Sequence, residues 1–264
     1  MTGTSHDAVD VSFIKVGKEI TLEYFHTKKT PKPLRQKIKN LIESNESSLS
    51  DLGSLNKEIG YFFAKAINEA ISLSSTKKSE IASIAISGQT VRHEVNTKYP
   101  FSMQIGDPNI VAKETGILVV SDFRNMHIAL GGEGAPLVPE FHNQLFHKPR
   151  YPRIILNIGG IANYSYIKNK KVIWGSDVGP GNALLDSYCN DFLGIAFDKG
   201  GAIAAKGKVD ANELKQLLAN NFFKKRFPKS TGKEVFNIKI LSKRFLKKKP
   251  EDILCTLVEF SARA

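Results

Sequence analysis

A chain of 264 residues, 41% apolar and 24% charged, suffices for one large domain or two modest ones around an ordinary core. Two cysteines, Cys189 and Cys255, exclude a disulfide framework and fit a reducing cytosol or simple core packing. The formal net charge of +12 raises polyanion binding as a question, and no stretch is apolar enough to span a bilayer.

The N-terminus MTGTSHDAVD lacks the basic and apolar regions of a signal peptide, so a cytoplasmic protein is expected. Its Gly3-Thr4-Ser5 turn offers hydroxyls and backbone N–H groups to a phosphate, and Asp7 and Asp10 can hold Mg²⁺ directly or through water. A plain tail or turn is the alternative. Val9 to Val16 alternates as a strand does, and Ile20 to Phe25 reads as its hairpin partner. A short helix is expected over Lys32 to Ser44. The clearest helix is Asp51 to Leu73, with Leu52, Leu55, Ile59, Phe63, Ala66 and Ala70 on one face and Ser50 or Asp51 as its cap.

Ile81 to Ile86 reads as a buried strand. The loop after it, Ser87-Gly88-Gln89-Thr90-Val91-Arg92-His93, gathers an amide, a hydroxyl, a guanidinium and an imidazole, which suits a polar ligand or an ordinary turn. Ile117 to Ser121 is a further strand, flanked by Gln104–Asn109 and by Ser121-Asp122-Phe123-Arg124. Arg124 can fork onto a carboxylate or phosphate, or simply pair with Asp122 or Glu114. Gly131 to Pro139 is too rich in glycine for a regular element and reads as a loop that approaches a ligand. Pro149, Pro152 and nearby charge mark a soft boundary at 146–152, dividing the chain into lobes 1–148 and 149–264.

Ile154 to Ile158 is a third strand. Like Ile117–Ser121 it is a continuous apolar run, as expected for an inner strand covered on both faces. It runs into Gly159-Gly160, a turn that suits phosphate oxygens or a plain hairpin, before Asn163 and a renewed strand pattern. Ser176-Asp177-Val178-Gly179-Pro180-Gly181-Asn182 leads into a helix, Asn182 to Phe192. Gly-Pro-Gly extends neither strand nor helix, so Asp177 is expected at a forced bend, where a carboxylate can take a proton from water or a hydroxyl. Capping that helix is the alternative, and the chemical role is preferred. Ala211 to Phe223 reads as another helix. The segment 206–249 carries fourteen Lys/Arg against three Asp/Glu. Without interleaved aromatics it reads as a solvated face rather than a nucleic-acid groove.

Strands and helices mix throughout, so the class is α/β, with ligands expected just after the strands. There is no HxxxH, CxxC, GxGxxG or GxSxG, and no Walker A loop; Pro228-Lys229-Ser230-Thr231-Gly232-Lys233 imitates the last in the wrong order.

Taken in order, TGTSHDAVD, SGQTVRHEV, QIGDPNIVAKETGI, VVSDFRNMHIALGGEGAPLVPEFH, LNIGGIANYSYI, SDVGPGNALLDSY, FDKGGAIAAKG and FPKSTGKEVFN resemble the anhydro-N-acetylmuramic acid kinases over nearly the whole chain. The resemblance implies the two-lobed, actin-like ATPase fold of sugar kinases and heat-shock proteins, with nucleotide in the cleft. It implies a phosphotransferase that moves the γ-phosphoryl group of ATP, with Mg²⁺, to 1,6-anhydro-N-acetylmuramic acid. Water opens the anhydro ring, giving N-acetylmuramic acid 6-phosphate in peptidoglycan recycling. On this family's pattern Asp177 is the general base. Gly3, Thr4, Ser5, His6, Asp7, Ala8, Val9 and Asp10 form the phosphate segment, with Asp7 toward the metal and Gly159 and Gly160 also beside the nucleotide. Gln89, Thr90, Asp122, Arg124 and Asn163 face the sugar.

Departures accompany the match. Ala8 stands where the family usually has Gly, and Ser87 where it usually has His. Only Met1 and Thr2 precede Gly3, and the chain stops at Ala264 before the family's glycine-rich adenosine-binding motif. The expectation is a family member shortened at both ends, with an incomplete second lobe. A catalytically inactive remnant and a polyanion-binding protein are the alternatives. Expected partners are the small amino sugar, no nucleic acid and no membrane, with a homodimer left open.

Overall fold

The computed structural model describes residues 6–44, 46–95, 97–146, 151–232 and 235–264. The class is mixed α/β, as expected. The chain divides into two units, Met1–Leu137 and Val138–Ala264, each with its own core.

In the first unit β1 (Ala8–Val16) and β2 (Ile20–Lys29) form an antiparallel hairpin. Val9 and Val11 point to the core and Asp10 and Ser12 to solvent, the alternation a half-buried strand requires. Helix α1 (Lys32–Glu43) follows, with Pro33 in its first turn, where a missing N–H costs nothing. Helix α2 (Leu49–Leu73) buries Leu55, Ile59, Phe63, Ala66 and Ala70 along one stripe. Its cap is neither Ser50 nor Asp51 but Ser48, whose hydroxyl accepts the Asp51 N–H at 3.0 Å.

Next come β3 (Ile84–Ala85), β4 (Gln89–Glu94), β5 (Phe101–Ile105), α3 (Pro108–Thr115), β6 (Val119–Val120) and α4 (Phe123–Ala129). β4 and β5 pair antiparallel, so most of the predicted 87–93 loop is strand. Two expectations fail here. The buried strand over Ile81–Ile86 shrinks to β3, and the strand over Ile117–Ser121 shrinks to β6. The two pair parallel, Ile84 with Val119, and Leu118 and Val120 stay exposed. A two-residue pair with one covered face reads in sequence like an inner strand, because apolar runs do not report what lies on the second face. α2 holds the end of β5 closely. Asn56 Oδ1 accepts the Gly106 N–H at 2.8 Å, and Gly106, at φ +114°, lies so near Phe63 that a Cβ would come within 2.5 Å of its ring. Lys57 pairs with Asp107, the cap of α3.

The second unit begins with α5 (Pro139–Phe146) and a three-stranded antiparallel sheet in the order β7 (Arg153–Ile158), β8 (Ile161–Lys168), β9 (Lys171–Pro180). β7 is an edge strand, and Ile154, Leu156 and Ile158 are 65%, 56% and 59% exposed, so it is not the doubly covered strand expected. Helices α6 (Ala183–Leu193), α7 (Ala211–Leu218) and α8 (Pro250–Arg263) supply the core. Ile253, Leu254, Leu257 and Phe260 on one stripe of α8 are fully buried, against Leu184, Tyr188, Leu214, Leu217 and the edge-on and tilted rings of Phe222, Phe223 and Phe236. The helix expected over Ala211–Phe223 ends at Leu218. Asn220 starts a separate 3₁₀ turn over Asn221–Lys224 by accepting the Phe222 N–H at 2.9 Å.

Part of the basic 206–249 segment is structural. Asp210, its side chain 5% exposed, caps α7 by accepting from Asn212 and Glu213, and pairs with Lys248 at 2.6 Å and Arg244 at 3.4 Å. The Lys248 hydrogen bond, then that of the Glu213 N–H, pull its carboxyl from 3.8 down to about 2 against the opposing effect of burial. A depressed carboxylate stabilises the fold above pH 3.8, and this contribution is lost as pH falls from 3.8 through about 2. Asp210→Asn should therefore cost on the order of 1–2 kcal/mol at pH 6. In urea unfolding of both proteins, that gap should close between pH 4 and pH 2.

Candidate active site

In the second unit, Asn157 on β7, Asn163 on β8 and Asp177 on β9 occupy one row across the sheet. The row depends on a β-bulge. Ala162 faces Gly179 while Asn163 faces Asp177, so Val178 has no partner on β8. Such an extra residue re-aims the side chains beside it. Asp177 is 9% exposed. Its Oδ2 accepts the Thr231 N–H at 2.8 Å and the Ser230 hydroxyl at 3.2 Å, and its own N–H donates to the Lys229 carbonyl at 2.9 Å. A carboxylate taken out of water needs such donors, and two on one oxygen fix the rotation of the group.

The forced bend expected at Asp177 is absent. β9 runs through Gly179 and Pro180, which pairs with Ile161 as an edge strand permits, and the chain turns only at Gly181–Asn182. Asp177 does not cap α6 either; the cap residue is Asn182. The N–H groups that lead into α6 go to the Gly159-Gly160 turn. Gly181 and Ala183 donate to Gly160 O at 2.9 and 3.0 Å, and Asn182 to Gly159 O at 2.8 Å. The glycines of this motif serve close approach: a Cβ on Gly181 would lie 2.2 Å from Gly159 O, and one on Gly179 would lie 2.6 Å from Ala264 Cβ. Ser261 Oγ donates to Gly181 O at 2.7 Å, tying the end of α8 to the same corner.

In the first unit, Gly3, Thr4 and Ser5 lie outside the described residues. His6 has φ +55°, Asp7 is exposed at the entry to β1 and its carbonyl accepts the Thr30 N–H at 2.8 Å. Ala8 sits opposite Lys29 in extended backbone, so this position does not require a glycine's φ. Val9 is core, and Asp10 accepts from Thr27 Oγ1 at 2.7 Å. Gln89 is buried beside Thr90 on β4. Gln104 reaches Thr90 Oγ1 at 3.4 Å and Ser102 Oγ at 2.6 Å, Asn125 Oδ1 accepts the Ser102 N–H at 3.0 Å, and Asn125 donates to Asp122 at 2.7 Å. One polar chain thus links Thr90 to Asp122, which opens α4 at φ +61°, a conformation rare outside glycine.

Arg124 pairs with neither Asp122 nor Glu114. Its Nη1 donates to Gly134 O at 3.0 Å, burial pushes its pKa down, and its buried Nε has no partner among the described residues. His127 Nδ1 accepts the Gly134 N–H at 3.0 Å, and a Cβ on Gly132 would clash with the same imidazole. Gly132 and Gly134 therefore approach α4, whereas a Cβ on Gly131 would meet nothing. Sequence reasoning missed Ser230 and Thr231 as partners of Asp177; their stretch stands there as an imitation of a phosphate loop and as part of the family-like FPKSTGKEVFN. Among the described residues no group of three or more His, Cys, Asp and Glu side chains converges on a metal-sized space.

A family model described as anhydro-N-acetylmuramic acid kinase matches residues 1–264. A relative of that name from Gamma-proteobacterium EBAC31A08 is 75% identical over 264 residues, covering 100% of this chain and 72% of the relative. Those from Shewanella woodyi and Shewanella oneidensis are 44% and 42% identical, covering 90% and 100% of this chain and 65% and 73% of the relatives. The chain thus spans about two thirds to three quarters of the relatives' length. An Aquifex aeolicus Ppx/GppA family structure aligns over 97% of this chain and 88% of its own at 10% identity and a TM-score of 0.31, too loose to establish a common fold.

Gly181→Ala should force the α6 terminus off the Gly159-Gly160 turn. The loss is expected at about 2 kcal/mol or more, since backbone carbonyl rather than a flexible side chain occupies the Cβ position. Equilibrium unfolding in urea checks this, with Gly194→Ala, where a Cβ meets nothing, reporting the cost of left-handed backbone alone.

Proposed function

The chain belongs to the anhydro-N-acetylmuramic acid kinase family, and on that premise we propose that it phosphorylates 1,6-anhydro-N-acetylmuramic acid with ATP and Mg²⁺ as water opens the anhydro ring. The product is N-acetylmuramic acid 6-phosphate, and the reaction serves peptidoglycan recycling in the cytoplasm. The observation that carries this reading is the Asp177 carboxylate, buried at a bulge and held in one orientation by Thr231 and Ser230.

Asp177 acts as general base toward the water that attacks the anhydro carbon. A carboxylate does this work when it is aimed, and the donors on Oδ2 fix its orientation. Asn163, beside it in the row, positions the sugar. Arg124 keeps guanidinium donors beyond the one spent on Gly134, and these suit the substrate's carboxylate or a phosphoryl oxygen. Thr90 and Asp122, at the two ends of the polar chain, and Gln89, which donates to Thr90 O, orient the sugar hydroxyls. Phosphoryl transfer depends on positioning and charge stabilisation more than on a covalent nucleophile, which suits a site of hydroxyls, amides and one acid.

ATP supplies the phosphoryl group when bound. The segment from Gly3 to Asp10 would meet its phosphates, and the exposed Asp7 carboxylate is suited to a water-bridged Mg²⁺. The Gly159 and Gly160 carbonyls already accept the N–H groups of Gly181, Asn182 and Ala183, so any role of that turn toward nucleotide does not use those carbonyls. Residues 1–148 and 149–264 are read as the two lobes of an actin-like kinase.

Asp177→Asn keeps the shape and removes the base. A coupled assay of ATP turnover with the anhydro sugar should show kcat falling by about 10³-fold or more, with circular dichroism and melting unchanged. Turnover near the parent value would remove Asp177 from the mechanism. Arg124→Met should raise KM for the sugar more than tenfold; an unchanged KM would assign Arg124 to holding the glycine loop only.

A further inference from the structure

The arm that follows the 3₁₀ turn of the second unit touches Asp177 at several points, and the proposed chemistry uses only its two donors on Oδ2, not the Lys229 side chain. Lys229 and Ser176 exchange contacts along the edge of β9: the Lys229 N–H donates to Ser176 Oγ at 2.9 Å, and that hydroxyl lies 3.0 Å from Lys229 O. With the Asp177 N–H on Lys229 O, this makes a short stretch of added edge. The next two residues then supply the donors on Asp177 Oδ2.

Lys229 is the peg of this arm. Its side chain turns inward and is buried, and among the described residues no carboxylate pairs with it. Its Nζ stands 4.3 Å from the Phe222 ring centre, 4.5 Å from Phe227 and 5.7 Å from Phe223, and it donates to Phe222 O at 3.2 Å. Phe227 is in turn braced edge-on by Tyr164 at 5.7 Å. Burial, and then the charge of Lys225, push the ammonium's pKa down. A desolvated cation among ring faces is held by their quadrupoles, and it resists displacement because leaving means dragging the backbone off β9. A surface turn does not need such an anchor; a carboxylate that must be aimed does.

We propose that Lys229, Ser230 and Thr231 form a positioning arm for Asp177, in which caged Lys229 fixes the backbone and the Ser230 hydroxyl and Thr231 N–H set the angle at which the carboxylate meets water. The inference rests on the reading of Asp177 as the base. Ser230 and Lys229 touch Asp177 itself, and in this proposal they act through it.

The test uses the full chain with ATP-Mg²⁺ and the anhydro sugar. Ser230→Ala should lower kcat about ten- to a hundredfold, with both KM values within twofold and the melting temperature unmoved, because a loosened base loses attack geometry rather than affinity. Ser230→Thr returns the hydroxyl and should recover most of kcat. Lys229→Met keeps the bulk and removes the charge; it should lower kcat by a similar factor. Asp177→Asn runs beside them. If Asp177→Asn is inactive while Ser230→Ala turns over like the parent, the arm does not position the base and the proposal is wrong, though the kinase reading stands. A loss in Ser230→Ala that Ser230→Thr does not recover, or that tracks a lower melting temperature, also overturns it. An active Asp177→Asn, or a parent chain without turnover, overturns the reading of the base and this inference together.

Discussion

The chain entering α6 leaves N–H groups that no earlier helical residue can accept, and two backbone carbonyls take those of Gly181, Asn182 and Ala183. The Gly159-Gly160 turn faces the helix end, Gly181 closes the gap to a distance no side chain tolerates, and Ser261 fastens the same corner from α8. Sheet and helices of the second unit meet through this junction. α6 enters the core from it through Leu184 and Tyr188, and β9 arrives at it four residues after Asp177. The carboxylate's place is therefore set by backbone hydrogen bonds on one side and by the Lys229 arm on the other.

Much of this was legible in the sequence, and what was not has identifiable causes. The β1–β2 hairpin, α1, α2 and α6 follow from alternation and from apolar spacing at one helical period. The cap of α2 escaped because Ser48, Ser50 and Asp51 are all competent acceptors and only the chain direction chooses among them. Ile154–Ile158 and Ile117–Ser121 misled for another reason: an apolar run states what a strand offers to a core, not whether a second layer exists to take it. At Gly179-Pro180-Gly181 composition suggested a broken strand, whereas an edge position tolerates proline and the glycines answer to neighbours eighteen or more residues away.

The candidate site divides the same way. Asp177 stood out because an acid among glycines and a proline is unusual, and that survives although the bend does not. Ser230 and Thr231 could not be found by spacing, since 53 and 54 residues separate them from the carboxylate they hold. The polar chain from Thr90 through Gln104, Ser102 and Asn125 to Asp122 is likewise a product of the β4–β5 register and the position of α4. Arg124 was noticed for its charge. Its attachment to Gly134 rather than to an acid became visible only once the glycine loop had a path.

The two borders of the second unit's sheet are unlike. At Ser176 and Asp177 the outer border of β9 is already engaged by Lys229, while among the described residues no strand pairs with the outer border of β7. β7 also presents Ile154, Leu156 and Ile158 outward, with Arg153 at its first position the one charged residue in the strand to discourage self-association. Recruitment of any further strand, whether from a partner or from a misfolded copy at high concentration, is directed to the β7 side. The side that aims the carboxylate is sterically removed from that competition.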